Sequence, residues 1–400
     1  MKILLVADLE FTHSRRYLDL IHLAGCDVVV LDSGQATQSG RVSAKRYYRW
    51  PRAGQRVTRY VIGPSLARKL SEFLIRLQLR WLWTTTRPDI IHVQWIDDRA
   101  WLLAKAGVSP LVLTAWGTDL NGTRERNYDS VQLRRKTEAI SKTALLIADS
   151  QDMLDIAHDL AKCRVPSMLL PIGIDTRLFK PGVKAEALGW RRKLNIPETA
   201  KIVLSPRAFR ENYCHDAIVR SFSRAIRNTN IDAYLVFKQY DCWDRSYVNN
   251  ITAVASACGI PDLIRIIDEM SYDQLPNYYA MGDFAVNFPM TDAFPVTFLE
   301  CLACELPLLT KHLPAYDSFD IAPYVRFTDA STEEALEKGI SNMFYSHGTQ
   351  QHMSRARAYV STHFDEAVIA RSLARAYDSV LKANVDIQSS GRGSRTNELV

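Results

Sequence analysis

Residues Asp283–Thr310, DFAVNFPMTDAFPVTFLECLACELPLLT, constrain the fold more than any other stretch of the chain. DFAVNF and Leu306–Thr310 are short apolar runs of strand character, and VTFLECLACE between them has helical periodicity. Strand, loop and helix repeated in this way imply parallel pairing. MTDAFP is a turn cluster, with Pro295 near a helix start, where its missing N–H costs least. Two carboxylates stand eight positions apart, Asp292 in the loop and Glu300 on the helix, two turns in. A helix N-terminus presents free amides and favours an anion. Glu300 can then reach a neutral hydroxyl such as a ribose, and Asp292 faces whatever is joined to the phosphates. An ordinary strand-loop-helix with two surface acids fits the same spacing.

The chain has 400 residues, enough for two domains, and its 47% hydrophobic content is that of a globular protein. No apolar run reaches the roughly 18–20 residues that span a bilayer. MKILLVADLE turns acidic too soon for a secretory signal and reads as a first buried strand. Seven cysteines with no framework spacing point to a reducing compartment. Cys301 and Cys304 form C-x2-C within a predicted helix, which fits core packing better than a metal or redox pair. No zinc spacing occurs. Net charge is +6, and the excess is local: Arg41–Arg87 holds twelve basic residues and one acid, Glu72.

In chain order, Lys2–Asp8, Cys26–Leu31, Asp89–Gln94, Pro110–Thr114 and Ala144–Ser150 read as strands, with a first helix from about Ser14. Lys201–Leu204, AYLVFK ending at Lys238, Asp262–Asp268 and Tyr324–Phe327 continue the rhythm, which implies doubly wound sheets. The first loop lacks G-x-G-x-x-G, so a standard dinucleotide fingerprint is missing. Within Lys45–Trp83, residues Leu66, Leu70, Phe73, Leu74, Leu77 and Trp81 recur at helical spacing. Two readings stand: a domain helix with a solvated charged face, or docking on an anionic membrane surface. Nucleic acid is not expected, because no recognised motif accompanies the charge. Glu333–Ser346, Gln350–Phe364 and Asp365–Ala383 read as helices, and the polar segment 384–400 as disordered.

The 283–310 stretch resembles the E-x7-E segment of family 4 retaining glycosyltransferases. Asp292 and Glu300 match the two acids, and Ala303, Cys304, Leu306 and Pro307 match the positions just after the second acid. PSMLLPIGIDTRLFKP resembles that family's inter-domain connector through Pro171, Gly173, Asp175, Phe179 and Pro181, with Ile172 in place of Asn. HSRRY at His13–Tyr17, AWGTDLN at Ala115–Asn121, SPRAFRENYCHD with Arg207, and EMSYDQLPNYYAMGD at 269–283 match further segments. The likeness extends over about residues 1–383. There are departures. Trp116 replaces a frequent His, and Asn212 and Tyr213 occupy the region of a frequent Lys. Ala293 and Pro295 replace small residues, Pro295 also removing a donor. Glu305 replaces Gly, which implies a helix end that is not left-handed.

The resemblance implies an α/β protein of GT-B architecture, two Rossmann-like doubly wound domains facing across a cleft. The expected bounds are 1–172 for an acceptor-binding domain and 173–364 for a sugar-nucleotide-binding domain. Residues 365–383 form a helix returning toward the first, and 384–400 a disordered tail. The implied activity is transfer of a sugar from a UDP- or GDP-sugar to an acceptor hydroxyl with retention, in surface polysaccharide or glycolipid assembly. The family roles fall on Asp292, Arg207 and Lys238 for catalysis. Glu300, Val296, Thr297, Phe294, Glu269, Met270 and Arg210 fall on the donor nucleotide, and His13, Trp116, Gly117 and Asp119 on the acceptor. No metal and no cofactor beyond the co-substrate are expected. The partners are a nucleoside diphosphate sugar and a glycan or lipid-linked acceptor; an anionic membrane reached through Arg41–Arg87 is an expectation from the local charge excess and the Leu/Trp helix rather than from the resemblance. The location implied is the cytoplasm or the inner face of the cell membrane. A non-catalytic sugar-nucleotide-binding or scaffold protein on the same fold is the alternative, and a sugar-nucleotide epimerase a further one.

Overall fold

A computed structural model describes residues 1–34, 46–51, 64–124, 127–182, 184–238, 245–267, 270–345 and 349–393. The chain forms two compact units, Met1–Ile172 together with the residues from Ala367 onward, and Gly173–Glu366.

The first unit is built on a parallel sheet of β1 (Lys2–Ala7), β2 (Asp27–Asp32), β3 (Arg46–Arg49), β4 (Ile90–Gln94), β5 (Leu111–Ala115), β6 (Leu145–Ala148) and β7 (Ser167–Leu169). Its order is β3-β2-β1-β4-β5-β6-β7. The central strands are Ile-, Val- and Leu-rich and buried throughout, as expected where helices cover both faces. The helices here are α1 (Thr12–Leu23), α2 (Pro64–Thr86), α3 (Asp98–Ala106), α4 (Asn121–Arg124), α5 (Ser130–Ile140) and α6 (Gln151–Ala161). Local signals set their ends. The Asp97 carboxylate caps α3 and Gly107, at φ 69°, ends it. Asp129 and Gln132 form a capping box on α5. A polar connection ties the last helix to this sheet. His92, fully buried on β4, bonds the Tyr377 hydroxyl and Thr114 Oγ1, both at 2.6 Å. Burial lowers the His92 pKa to about 3, so the ring is neutral.

The second unit has the parallel order β10-β9-β8-β11-β12-β13. Its strands are β8 (Lys201–Ser205), β9 (Ala233–Lys238), β10 (Ile264–Ile267), β11 (Phe284–Asn287), β12 (Leu308–Thr310) and β13 (Arg326–Phe327). Its helices are α7 (Lys184–Lys193), α8 (His215–Thr229), α9 (Arg245–Ala257), α10 (Leu275–Ala280), α11 (Val296–Ala303), α12 (Glu333–Tyr345) and α13 (Gln350–His363). α14 (Glu366–Gly393) begins at the unit boundary.

Four expectations are corrected. The strand expected over Asp262–Asp268 is split: a 3₁₀ turn opened by Pro261 precedes β10. The one expected at Tyr324–Phe327 likewise comes after a turn containing Pro323. The end of α11 is left-handed, with Glu305 at φ 56°. Leu306 N–H closes back on the Cys301 carbonyl at 2.9 Å, and Gln350 and Ser354 hold the Glu305 carboxylate, which offsets the strain. Finally, the backbone of α14 stays helical through Gly393, since no glycine or proline interrupts it before Gly391; only 394–400 lie outside the described residues.

Candidate functional site

In the second unit β8 lies between β9 and β11, so the strand order reverses at β8 and β11. Open parallel sheets bind ligands in the crevice at the carboxyl ends of such strands. The two loops leaving them carry Arg207 and Asp292. Arg207 Nη2 donates to Asp292 Oδ1 at 2.8 Å, and Nη1 donates to Thr297 Oγ1 at 3.2 Å. The guanidinium lies 4.1 Å over the Tyr213 ring. The Tyr316 hydroxyl donates to the other Asp292 oxygen at 3.1 Å, and the Ala293 amide donates to the first at 3.1 Å. Asn287, at the end of β11, donates to the Tyr316 hydroxyl at 3.4 Å.

The pair is nearly closed off from solvent, its side chains 9% and 8% exposed. Burial pushes the Asp292 carboxyl up, while Arg207, Tyr316 and the Ala293 amide pull it down by less. For Arg207 burial works against the charge, but Asp292, Tyr213 and Tyr316 outweigh it and raise its pKa. The guanidinium is therefore a permanent cation at the start of α11.

No side chain caps α11, and Pro295 occupies its N-cap. Val296 and Thr297 open the helix and are half-buried. Because the helix begins at Val296, Glu300 lies one turn in rather than two. It is 4% exposed and accepts from the Tyr279 hydroxyl at 2.6 Å. Two donor-side candidates send their side chains elsewhere, because they are apolar and the core takes them. Phe294 packs on Phe319 and Phe364 with centroids 4.6 and 5.9 Å away. Met270 is buried in the unit's hydrophobic core. Only their backbones remain for a ligand. Glu269 lies outside the described residues. Lys238 is buried at the end of β9; burial raises the Cys301 thiol pKa and the Lys238 charge opposes that rise. Arg210 is half-buried just ahead of the 3₁₀ turn Glu211–Tyr213.

Sequence reasoning did not find Tyr316, Asn287, Tyr279 or the role of Asn212. The last occupies the region of the family Lys and clamps the two loops together. Its Nδ2 donates to the Thr291 carbonyl at 2.8 Å, and its Oδ1 accepts from the Thr291 amide and hydroxyl at 3.1 Å each. Tyr316 arrives from a separate loop, 24 residues beyond Asp292, with no periodic signal to link them.

In the first unit the acceptor-side candidates share one corner. His13 lies within the first turn of α1 instead of ahead of it. Its ring stacks on Trp116 at 5.6 Å and 17°. Tyr17 meets the same indole edge-on at 5.8 Å, and the indole N–H donates to Gln94 Oε1 at 3.1 Å. Trp116 is thus packed by protein rather than presented bare. Gly117, at φ 97°, makes the turn. The Asp119 carboxylate accepts from the Ile96 and Trp116 amides at 2.8 and 2.9 Å, so it braces the loop instead of reaching outward. Among the described residues no group of three or more His, Cys, Asp or Glu side chains is placed to hold a metal ion.

Two units, each built on a doubly wound parallel sheet, are the architecture of the GT-B class of folds. Two family profiles match in succession, "Glycosyl transferase 4-like" over residues 2–150 and "Glycosyl transferases group 1" over 188–357. The chain belongs to the family 4 glycosyltransferases of GT-B fold. A D-inositol 3-phosphate glycosyltransferase of Nocardiopsis dassonvillei is 21% identical over 245 residues, 56% of each chain. That of Streptosporangium roseum is 23% identical over 240 residues, covering 56% of this chain and 53% of the relative. The chain therefore spans about half the length of the curated relatives it matches. Among solved structures, a glycosyltransferase of Rickettsia africae superposes with TM-score 0.74 at 15% identity, covering 95% of this chain and 98% of that one. Anabaena HepE in complex with UDP and glucose gives 0.74 at 14%, covering 95% and 100%. These structural likenesses are of fold.

Proposed function

We propose that the chain transfers a sugar from a nucleoside diphosphate sugar to an acceptor hydroxyl, retaining anomeric configuration, in assembly of a surface polysaccharide or glycolipid. The observation that carries this reading is the Arg207–Asp292 pair at the uncapped start of α11. Charge builds on the diphosphate as the glycosidic bond breaks, and a fixed guanidinium beside helix amides stabilises it without reorganisation. Asp292, held by Tyr316 and the Ala293 amide, accepts hydrogen bonds from donor-sugar hydroxyls and orients the ring. Glu300, with one oxygen fixed by Tyr279, accepts from the ribose. Lys238 and Arg210 supply further positive charge to the leaving group. The acceptor, a glycan or a lipid-linked glycan, belongs to the first unit near the His13–Trp116 corner, and the work is done in the cytoplasm.

UDP is the nucleotide to try first, since it is bound in the structure of HepE, which shares this fold. A thermal-shift screen of nucleoside diphosphates and their sugars, followed by donor hydrolysis and transfer, tests the reading. One base stabilising the chain, with turnover abolished by Arg207→Ala and by Asp292→Ala, is the expected result. Wild-type turnover from either variant removes that residue from the mechanism. Tight nucleotide binding without turnover across acceptors indicates the non-catalytic alternative.

A further inference from the structure

Helix α2 carries apolar side chains on two opposite sides. At 100° per residue, Ala67, Ser71, Ile75, Leu79 and Leu82 share one side and are buried, with Ile75, Leu79 and Leu82 in one cluster with Leu4, Val6 and Leu103. The stripe that the sequence makes most conspicuous faces the other way. Leu66, Leu70, Phe73, Leu74, Leu77 and Trp81 are 40–62% exposed. They are six of the ten large apolar side chains exposed among the described residues, so this is a patch rather than scatter.

The charge beside the patch has one sign. Lys69, Arg76 and Arg80 fall together along one edge of the ridge, on the wheel positions next to Phe73 and Leu66. The helix's acid, Glu72, is engaged by Arg135, whose guanidinium also bonds Asp98 at 2.7 Å. From Leu66 to Trp81 the ridge runs fifteen residues, about 22 Å of helix. A ridge of Leu, Phe and Trp bordered by Lys and Arg has the form of a helix that lies in a lipid interface with its axis in the plane. A second copy of the chain is the poorer fit. Antiparallel two-fold pairing of the ridges would bring two basic edges together, with no acid left on either helix to answer them. No helix among the described residues is long and apolar enough to cross a membrane.

We propose that this outward face of α2 docks the protein on an anionic lipid surface, the apolar ridge entering the acyl boundary while Lys69, Arg76 and Arg80 meet headgroup phosphates. The inference goes beyond the transferase reading and rests on the first unit alone.

The test is flotation of the full chain with vesicles of phosphatidylcholine alone and of phosphatidylcholine mixed with phosphatidylglycerol. Binding is expected to the mixed vesicles and to weaken with salt. Replacing Lys69, Arg76 and Arg80 by Gln should weaken it by about fivefold per residue removed. Leu77→Gln with Trp81→Gln should abolish it while leaving the melting temperature unchanged, because both side chains are exposed. Absence of binding to the mixed vesicles, or binding indifferent to both sets of substitutions, overturns the proposal. So does a dimer in sedimentation that Leu77→Gln with Trp81→Gln dissociates, which would identify a second copy as the occupant.

Discussion

Replacing Asp292 by Asn keeps the side chain's shape and removes its charge. The structure then leaves the Arg207 guanidinium about nine-tenths buried and facing a neutral amide. The amide has one oxygen where the carboxylate has two, so it cannot accept from both Arg207 and Tyr316 at their present positions. Breaking a buried ion pair from one side costs about 3–5 kcal/mol. The stacking of Tyr213 and the bond to Thr297 keep the cation partly satisfied, which favours the lower figure, about 3 kcal/mol. For a unit of this size each kcal/mol moves the melting temperature by roughly 2–4 °C, so a fall of about 6–12 °C is expected. The double variant Arg207→Met with Asp292→Leu removes both charges and should melt well above the single one, because no unpaired charge remains. Thermal unfolding monitored by circular dichroism measures Asp292→Asn, the double variant and its two component single variants, Arg207→Met and Asp292→Leu. An Asp292→Asn variant melting with the wild type, or a double variant losing the sum of the two single losses, would refute the reasoning.

Tyr279→Phe removes the donor to buried Glu300 and should cost about 1.5–3 kcal/mol in urea unfolding, with nucleotide binding weakened as well. Asp119→Ala leaves the Ile96 and Trp116 amides without their acceptor and should destabilise the first unit by about 2–4 kcal/mol, read in the same experiment. His215 is fully buried, stacked on Phe209, and burial lowers its pKa from 6.5 to about 4. The unfolded chain takes a proton below about 6.5 and the folded chain does not until about 4, so its contribution is present above 6.5 and lost as pH falls. The loss is about 3 kcal/mol between those limits. His215→Phe should flatten that part of the stability–pH curve; an unchanged slope would place the acid sensitivity elsewhere.

Some of the molecule was legible because its signals are local. Continuous apolar runs mark β1, β4, β5, β8 and β11, and a helical period marks α11, within a residue or two, since burial on both faces demands those side chains wherever the strand ends up. Asp292 and Arg207, each in a loop directly after a strand, were picked out by the resemblance of those loops to the family's motifs. Turn-scale detail was less legible. The prolines ahead of β10 and β13 open 3₁₀ turns inside what read as strands, and Glu305 adopts a conformation that its sequence position alone argues against. Its bracing by Gln350 and Ser354 comes from a helix 45 residues away.

The order of residues alone determined that parallel sheets would form, where their strands and helices fall, and which loops carry charge. Tertiary packing alone decided which charges meet and which apolar stripe faces water. The Arg207–Asp292–Tyr316 contact joins three loops with no common period, so it exists only once β8, β11 and β12 are side by side. On α2 both sides are apolar enough to be buried. Periodicity gives a helix its faces but not their direction, and that direction was decided by packing against the rest of the first unit, where Ile75, Leu79 and Leu82 join Leu4, Val6 and Leu103 in one core cluster.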